Sequence, residues 1–151
     1  MIKKQTSAGG IVYKIINNQH YWLVVKNLLG EYWGFPKGLV GDKDKSETLE
    51  QAALREVQEE GGIKAKIIKK INYSISYTYV WNNIQIDKTV WFFLMKYLSG
   101  NQKDHDKEIE EAKFVKTDTV LKMLTHDNDK EVFKKALKVL PLGFEPRTPD
   151  L

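Results

Sequence analysis

Leu54-Arg55-Glu56-Val57-Gln58-Glu59-Glu60-Gly61-Gly62-Ile63 is the stretch on which the reading of this chain turns. Leading into it from Thr48, apolar residues recur at helical intervals through Leu49, Ala52, Ala53 and Val57, and Thr48 with Gln51 has the spacing of a capping box. Gly61-Gly62 is suited to end the helix. On such a helix Glu56 stands three residues from Glu59 and four from Glu60, so the three carboxylates gather along one side. Each like-charged pair costs roughly 0.2–0.5 kcal/mol on an exposed helix, and Glu59 and Glu60 also meet the negative end of the dipole, at roughly 0.3–1 kcal/mol each. A positive group is expected to compensate. Oxygen donors with no His or Cys beside them suit a hard cation, Mg²⁺ first and Mn²⁺ second. The alternative is a charged helix end facing water.

Working outward, 151 residues with 42% hydrophobic content suit one folded domain. The longest apolar run, Val90 to Met95, is six residues, against the roughly 18–20 that a membrane-spanning helix needs. Met1-Ile2-Lys3-Lys4-Gln5 opens no secretory signal, and the absence of Cys excludes a disulfide scaffold and cysteine-metal chemistry, so a cytoplasmic protein is expected. The net charge of +4 suits phosphorylated ligands without demanding nucleic acid. Of the 24 basic residues only Arg55 and Arg147 are arginine, which suggests that Arg55 is kept where a rigid bidentate fork is needed.

Residues 7–16 and 21–25 read as strands around the turn-forming Asn17-Asn18-Gln19-His20. The Gly-, Lys- and Asp-rich segment 27–46 reads as a long loop. Residues 63–79 and 84–98 read as strands about a turn at Trp81-Asn82-Asn83, and 112–116 as one more. After Thr117-Asp118 a helix runs to Leu124, and Asp127-Asn128-Asp129 offers an N-cap for another through Leu140, stopped by Pro141. Residues 141–151, rich in proline, are expected to form a disordered tail.

Gly41, five residues, Glu47, seven residues, Arg55-Glu56, Val57, one residue, Glu59-Glu60, one residue, Gly62 and Ile63 together reproduce the signature of the Nudix hydrolases, which the chain resembles. Trp33-Gly34-Phe35-Pro36-Lys37-Gly38 resembles the family's approach to that signature, and Ser7-Ala8-Gly9-Gly10, Lys88-Thr89-Val90 and the closing helix extend the likeness over residues 1–140. One departure stands out: Gly38 lies nine positions before Glu47 where relatives have six, so the loop is three residues longer. Gly41 restores the nominal spacing, which leaves Gly38 and Gly41 as alternative sources of the backbone carbonyl that members give to the metal.

The resemblance implies an α/β fold, an α/β/α sandwich with a mixed β-sheet and the signature as loop–helix–loop. It implies Mg²⁺-dependent attack of water on a phosphoanhydride, with Glu56 and Glu60 as metal ligands, Glu59 as ligand or general base, and Arg55 holding Glu47. Glu108 occupies the region where many relatives place a further metal-reaching glutamate, with Glu110 and Glu111 as its rivals. Lys37 is similar to that of the branch cleaving dinucleoside tetraphosphates. Lys37 and Lys88 offer charge to a phosphate chain, and Tyr77, Tyr79, Trp91 and Phe93 offer platforms for a base, one set alternating into the core. The expected substrate is a small nucleoside polyphosphate, foremost diadenosine tetraphosphate cleaved to ATP and AMP, with no membrane and no stable nucleic-acid partner and with the oligomeric state open. Rival readings are a general (d)NTP or RNA 5′-end pyrophosphohydrolase and a noncatalytic nucleotide-sensing module.

Overall fold

The computed structural model describes residues 1–141. Strands β1 (Ile2–Ile16) and β2 (Gln19–Asn27) form a hairpin, followed by two short strands, β3 (Trp33–Gly34) and β4 (Lys37–Leu39). Helix α1 (Leu49–Gly61) leads into β5 (Ile63–Trp81) and β6 (Ile84–Gly100), and β7 (Ile109–Lys116), α2 (Thr117–Met123) and α3 (Asp127–Lys138) follow within the described residues. One mixed seven-stranded sheet runs β3-β2-β1-β6-β5, with β4 on β1 and β7 on β2. The β1–β6 pair is parallel, and the other pairs are antiparallel.

Both hairpins turn on Asn-Asn pairs. Asn17 and Asn18, then Asn82 and Asn83, all have positive φ of 50–64°, the backbone a two-residue type I′ turn requires and Asn tolerates. The first turn is thus two residues, and Gln19 and His20 belong to β2.

Helices cover both faces of the sheet, so consecutive strand residues are buried in opposite cores. Phe92 packs with Trp22, Phe35, Val132 and Phe133 on the α3 side. Phe93 packs with Leu23, Ala52, Ala53 and Val57 on the α1 side. The expectation that only one alternating set would be core is corrected by this two-sided cover. The loop expected over 27–46 contains β3 and β4, and the last strand starts at Ile109 rather than 112. Helix α3 starts at Asp127 behind His126, which makes no side-chain capping bond, and none of Asp127, Asn128 or Asp129 serves as its cap. Of the expected tail, residues 142–151 lie outside the described residues. Among the described residues no helix is long and apolar enough to cross a membrane.

Candidate active site

Local chemistry sets both ends of α1. Gln51 N donates to Thr48 Oγ1 at 3.1 Å and Thr48 N to Gln51 Oε1 at 2.9 Å, closing the capping box. At the other end Gly62 sits at φ 73° and its N–H reaches Gln58 O at 3.0 Å, a left-handed cap that favours glycine. Ala52, Ala53 and Val57 are buried against the sheet, which fixes the helix rotation and turns the glutamates toward β4.

Arg55 ties the acidic groups together. Its Nε and Nη2 grip Glu47 at 2.7 and 3.0 Å, a two-point clamp. Nη2 also reaches Leu39 O at 3.1 Å, and Nη1 bridges Glu56 at 2.8 Å and Glu59 at 3.2 Å. The hydrogen bonds from Arg55 hold the Glu47 carboxyl below its ordinary range. Burial pushes Glu56 up, against the pull of Arg55. It pushes Glu60 up to about 8, with the charges of Glu56 and Asp106 adding to the effect and the Lys37 N–H, 3.1 Å from Glu60 Oε1, opposing it.

The two candidate glycines part company. Gly38 lies against the Glu56 carboxyl so closely that a Cβ there would overlap it. Gly41 instead donates its N–H to Glu47 Oε1 at 3.0 Å. Gly38, in β4, is the glycine beside the glutamate cluster, and Gly41 belongs to the extended loop.

Beside the cluster a cavity of about 520 Å³ opens between β2, β3, β5, β6 and the start of α3. Lys37 and Glu60 line it as well as belonging to the cluster, and Phe35, Tyr77, Val90 and Phe92 supply apolar wall. Lys88 is not among the lining residues but pairs across the strands with Tyr77. Burial and the charge of Lys37 lower its pKa, so both ammonium groups act on the same region.

Three expected residues stand elsewhere. Trp91 alternates with Val90 and Phe92 and so faces away from the cavity, with Lys70 Nζ 4.2 Å from the centre of its indole ring. Tyr79 stacks on Tyr77 outside the lining, 38% exposed. Glu108 is exposed; its backbone bonds Leu28 and Asp106, and among the described residues no bond joins its side chain to the cluster. Glu110 pairs with Lys26 at 2.8 Å, and Glu111 with Lys113 at 3.6 Å. The acid of this loop that acts on Glu60 is Asp106, whose N–H bonds Glu59 O at 2.8 Å. Sequence reasoning missed Asp106, and also Asp129, which lines the cavity and is 8% exposed.

Among the described residues no three acidic or imidazole side chains close on a common point as a ready-made metal group, because Arg55 draws Glu56 and Glu59 and the Lys37 N–H holds Glu60. The donor chemistry nevertheless fits a hard cation. The donors are all oxygen, and two of the three carboxyls are held above their ordinary range by burial, which a divalent charge would relieve.

A family model described as NUDIX domain matches residues 6–136. The MutT4 mutator protein of Mycobacterium tuberculosis is 35% identical over 118 residues, 74% of this chain and 46% of that protein. The chain therefore spans about half the length of that relative. Among solved structures, the NUDIX domain of Shewanella oneidensis NrtR complexed with ADP ribose matches with a TM-score of 0.69 and 17% identity, covering 91% of this chain and 89% of that one. A Caenorhabditis elegans Ap4A hydrolase binary complex matches with a TM-score of 0.65 and 20% identity, covering 87% and 93%. These two likenesses describe the fold.

Proposed function

Since the chain belongs to the Nudix family, we propose that it is a Mg²⁺-dependent hydrolase of a phosphoanhydride bond in a nucleoside polyphosphate. One observation carries this reading: Lys37 and Glu60 belong at once to the glutamate cluster and to the wall of the cavity. A nucleotide with its base in the cavity therefore extends its phosphates over the acids of α1.

Glu56, Glu59 and Glu60 would hold magnesium, with the Gly38 backbone beside them. The bound ion supplies charge neutralisation of phosphate oxygens and a water of lowered pKa. Glu59, the most exposed member of the set contacting Arg55, is the assigned proton acceptor for the attacking water. Arg55 holds Glu47 and the loop–helix junction as a positioning residue. Lys37 and Lys88 face the chain of phosphates as point charges.

The two lysines support a long polyphosphate, and the specific reading is asymmetric cleavage of a dinucleoside tetraphosphate, diadenosine tetraphosphate first, into a nucleoside triphosphate and monophosphate. A single nucleoside triphosphate is the second reading, favoured by a described cavity of about 520 Å³ bounded by both Lys37 and Asp129. Turnover on diadenosine tetraphosphate, the dNTPs and triphosphorylated RNA, each with and without Mg²⁺, tests the proposal. Mg²⁺-dependent release of ATP and AMP at the highest kcat/KM is expected. Faster dNTP cleavage selects the second reading, and nucleotide binding without phosphate release on any substrate overturns catalysis.

A further inference from the structure

The outer strand of the sheet changes character along its length. β5 ends the strand order and, among the described strands, pairs with β6 alone, so one row of its backbone N–H and C=O groups faces outward. Its first half is protected as free edges usually are, by lysines and bulges. Lys64, Lys66, Lys69 and Lys70 are all exposed there, and every register shift of the β5–β6 pair lies before Ser74. The second half has neither protection. Ser74 to Trp81 pair with β6 in unbroken register, and no residue from Ile71 to Trp81 is charged. Ser76 through Trp81 are exposed on both faces, Val80 at 70% and Trp81 at 62%. Among the described residues no turn, loop or helix backbone bonds to residues 72–81. A straight, neutral edge rich in aromatic and β-branched residues, without proline, is a template for another strand.

The charge pattern selects a second copy of the same strand. Set antiparallel with Tyr77 opposite the partner's Tyr77, Ile75 meets the partner's Tyr79 on the α3 face, where Ile75 packs into the core and Tyr77 lines the cavity. On the other face Ser76 meets the partner's Thr78. Aromatic, aromatic–aliphatic and hydroxyl pairs of this kind stabilise sheets. The same register carries the lysine half of each β5 past the Asn82-Asn83 turn of the other copy, where no β5 residue faces it. A register shifted toward the lysines sets ammonium against ammonium, and a slip of one residue sets the aromatic row against the hydroxyl row. Elsewhere the sheet offers no equivalent edge: β3 has two residues, and β7 carries Glu110, Glu111, Lys113 and Lys116. We propose that the chain forms a homodimer by antiparallel pairing of residues 74–80 of β5 with the same residues of a second copy, about a two-fold axis at Tyr77. An interface that uses the same strand of both copies closes at two. The two sheets become continuous with both α3 layers on one side, and the cavities flank the axis. The inference goes beyond the hydrolase reading and does not depend on it.

Sedimentation velocity of the full chain over a range of concentrations tests the proposal. A single strand pair is a small interface, so a monomer–dimer equilibrium with a dissociation constant on the order of 10 µM is expected. Hydrogen exchange of the wild type, which needs no variant to fold, should slow across residues 74–80 at high concentration and stay unchanged in β7. Ser76 is exposed and outside the cavity lining. Ser76→Lys and Ser76→Glu each bring like charges together beside the axis, and each alone should weaken association by roughly tenfold. An equimolar mixture of the two variants should recover it, since opposite charges then meet across the axis. Circular dichroism checks that both variants fold. A monomer at every concentration overturns the proposal and leaves the edge to a foreign strand. Association that continues past two copies overturns the two-fold pairing, and so does a dimer that both folded variants form as strongly as the wild type. Slowed exchange in β7 in place of β5 moves the interface elsewhere and overturns it as well.

Discussion

Gly38 and Glu56 are in backbone-to-carboxyl contact, with no room between them for even one methyl group. Gly38→Ala is therefore expected to displace the Glu56 carboxyl and lower turnover by about 100-fold or more, since a misplacement near 1 Å has that effect. Gly41 sits at φ +78° with only ordinary contacts around its missing Cβ. Gly41→Ala should cost about 1 kcal/mol of stability and little activity. Steady-state kinetics and melting curves of the two variants check this, and equal activity losses would contradict the assignment of Gly38 to the cluster.

Glu56→Gln, Glu59→Gln and Glu60→Gln should each lower Mg²⁺-dependent kcat by roughly 10²–10⁴-fold. Near wild-type rates in all three would remove the metal cluster from the mechanism. Glu60 takes no bond from Arg55 and is pushed up by burial and the charge of Glu56, so Mg²⁺-free Glu60→Gln should melt at or above the wild-type temperature near neutral pH.

Arg55→Lys keeps the charge and loses the fork. With hydrogen bonds from Arg55 to Glu47, Leu39, Glu56 and Glu59 at stake, the expected loss is about 1–3 kcal/mol of stability together with a fall in kcat. Denaturant titration and kinetics check it; unchanged values in both would show that the clamp has no role beyond charge.

Glu60 predicts a pH dependence of stability. Its folded pKa of about 8 lies above its ordinary value of 4.5, so the native state holds the proton more tightly than the unfolded chain. The associated stability is full below 4.5 and is lost as pH rises to about 8. Glu56, also raised, acts in the same direction, whereas Glu47, lowered by Arg55, adds stability that is lost only as pH falls below the ordinary carboxylate range. Without divalent cations, the melting temperature should fall as pH goes from about 5 to about 8.5, and Glu60→Gln should flatten that slope. Added Mg²⁺ should stabilise more at the alkaline end, where no proton has to leave. A melting temperature rising with pH over this range would contradict the burial of Glu60.

The sequence made α1 readable because its signals are local. Thr48 and Gln51, the spacing of Ala52, Ala53 and Val57, and the Gly61-Gly62 stop all lie within one segment, and the capping box and left-handed cap are present. The Asn-Asn turns were readable for the same reason. Strands β3 and β4 carry two and three residues, too few for a period, and their pairing depends on strands distant in the chain. Trp91 and Phe92 look equivalent in sequence, and only the layer above each sheet face separates a cation–π contact with Lys70 from the cavity wall. Asp129 resembled part of an N-cap because an acid in a first helical turn reads the same whether it caps the helix or turns inward. Glu108 and Asp106 differ by two positions, and the fold of the loop decides which one acts on Glu60.

The extended loop shows how the glutamate cluster tolerates a change in loop length. Residues 42–46 are all exposed, while Glu47 anchors their far end to Gly41 and Arg55. Helix α1 takes its register from Thr48 onward, so residues added upstream spool into solvent without shifting the phase of the glutamates. The segment is a natural splice point, able to lengthen over evolutionary time or accept an inserted reporter while the acids keep their alignment.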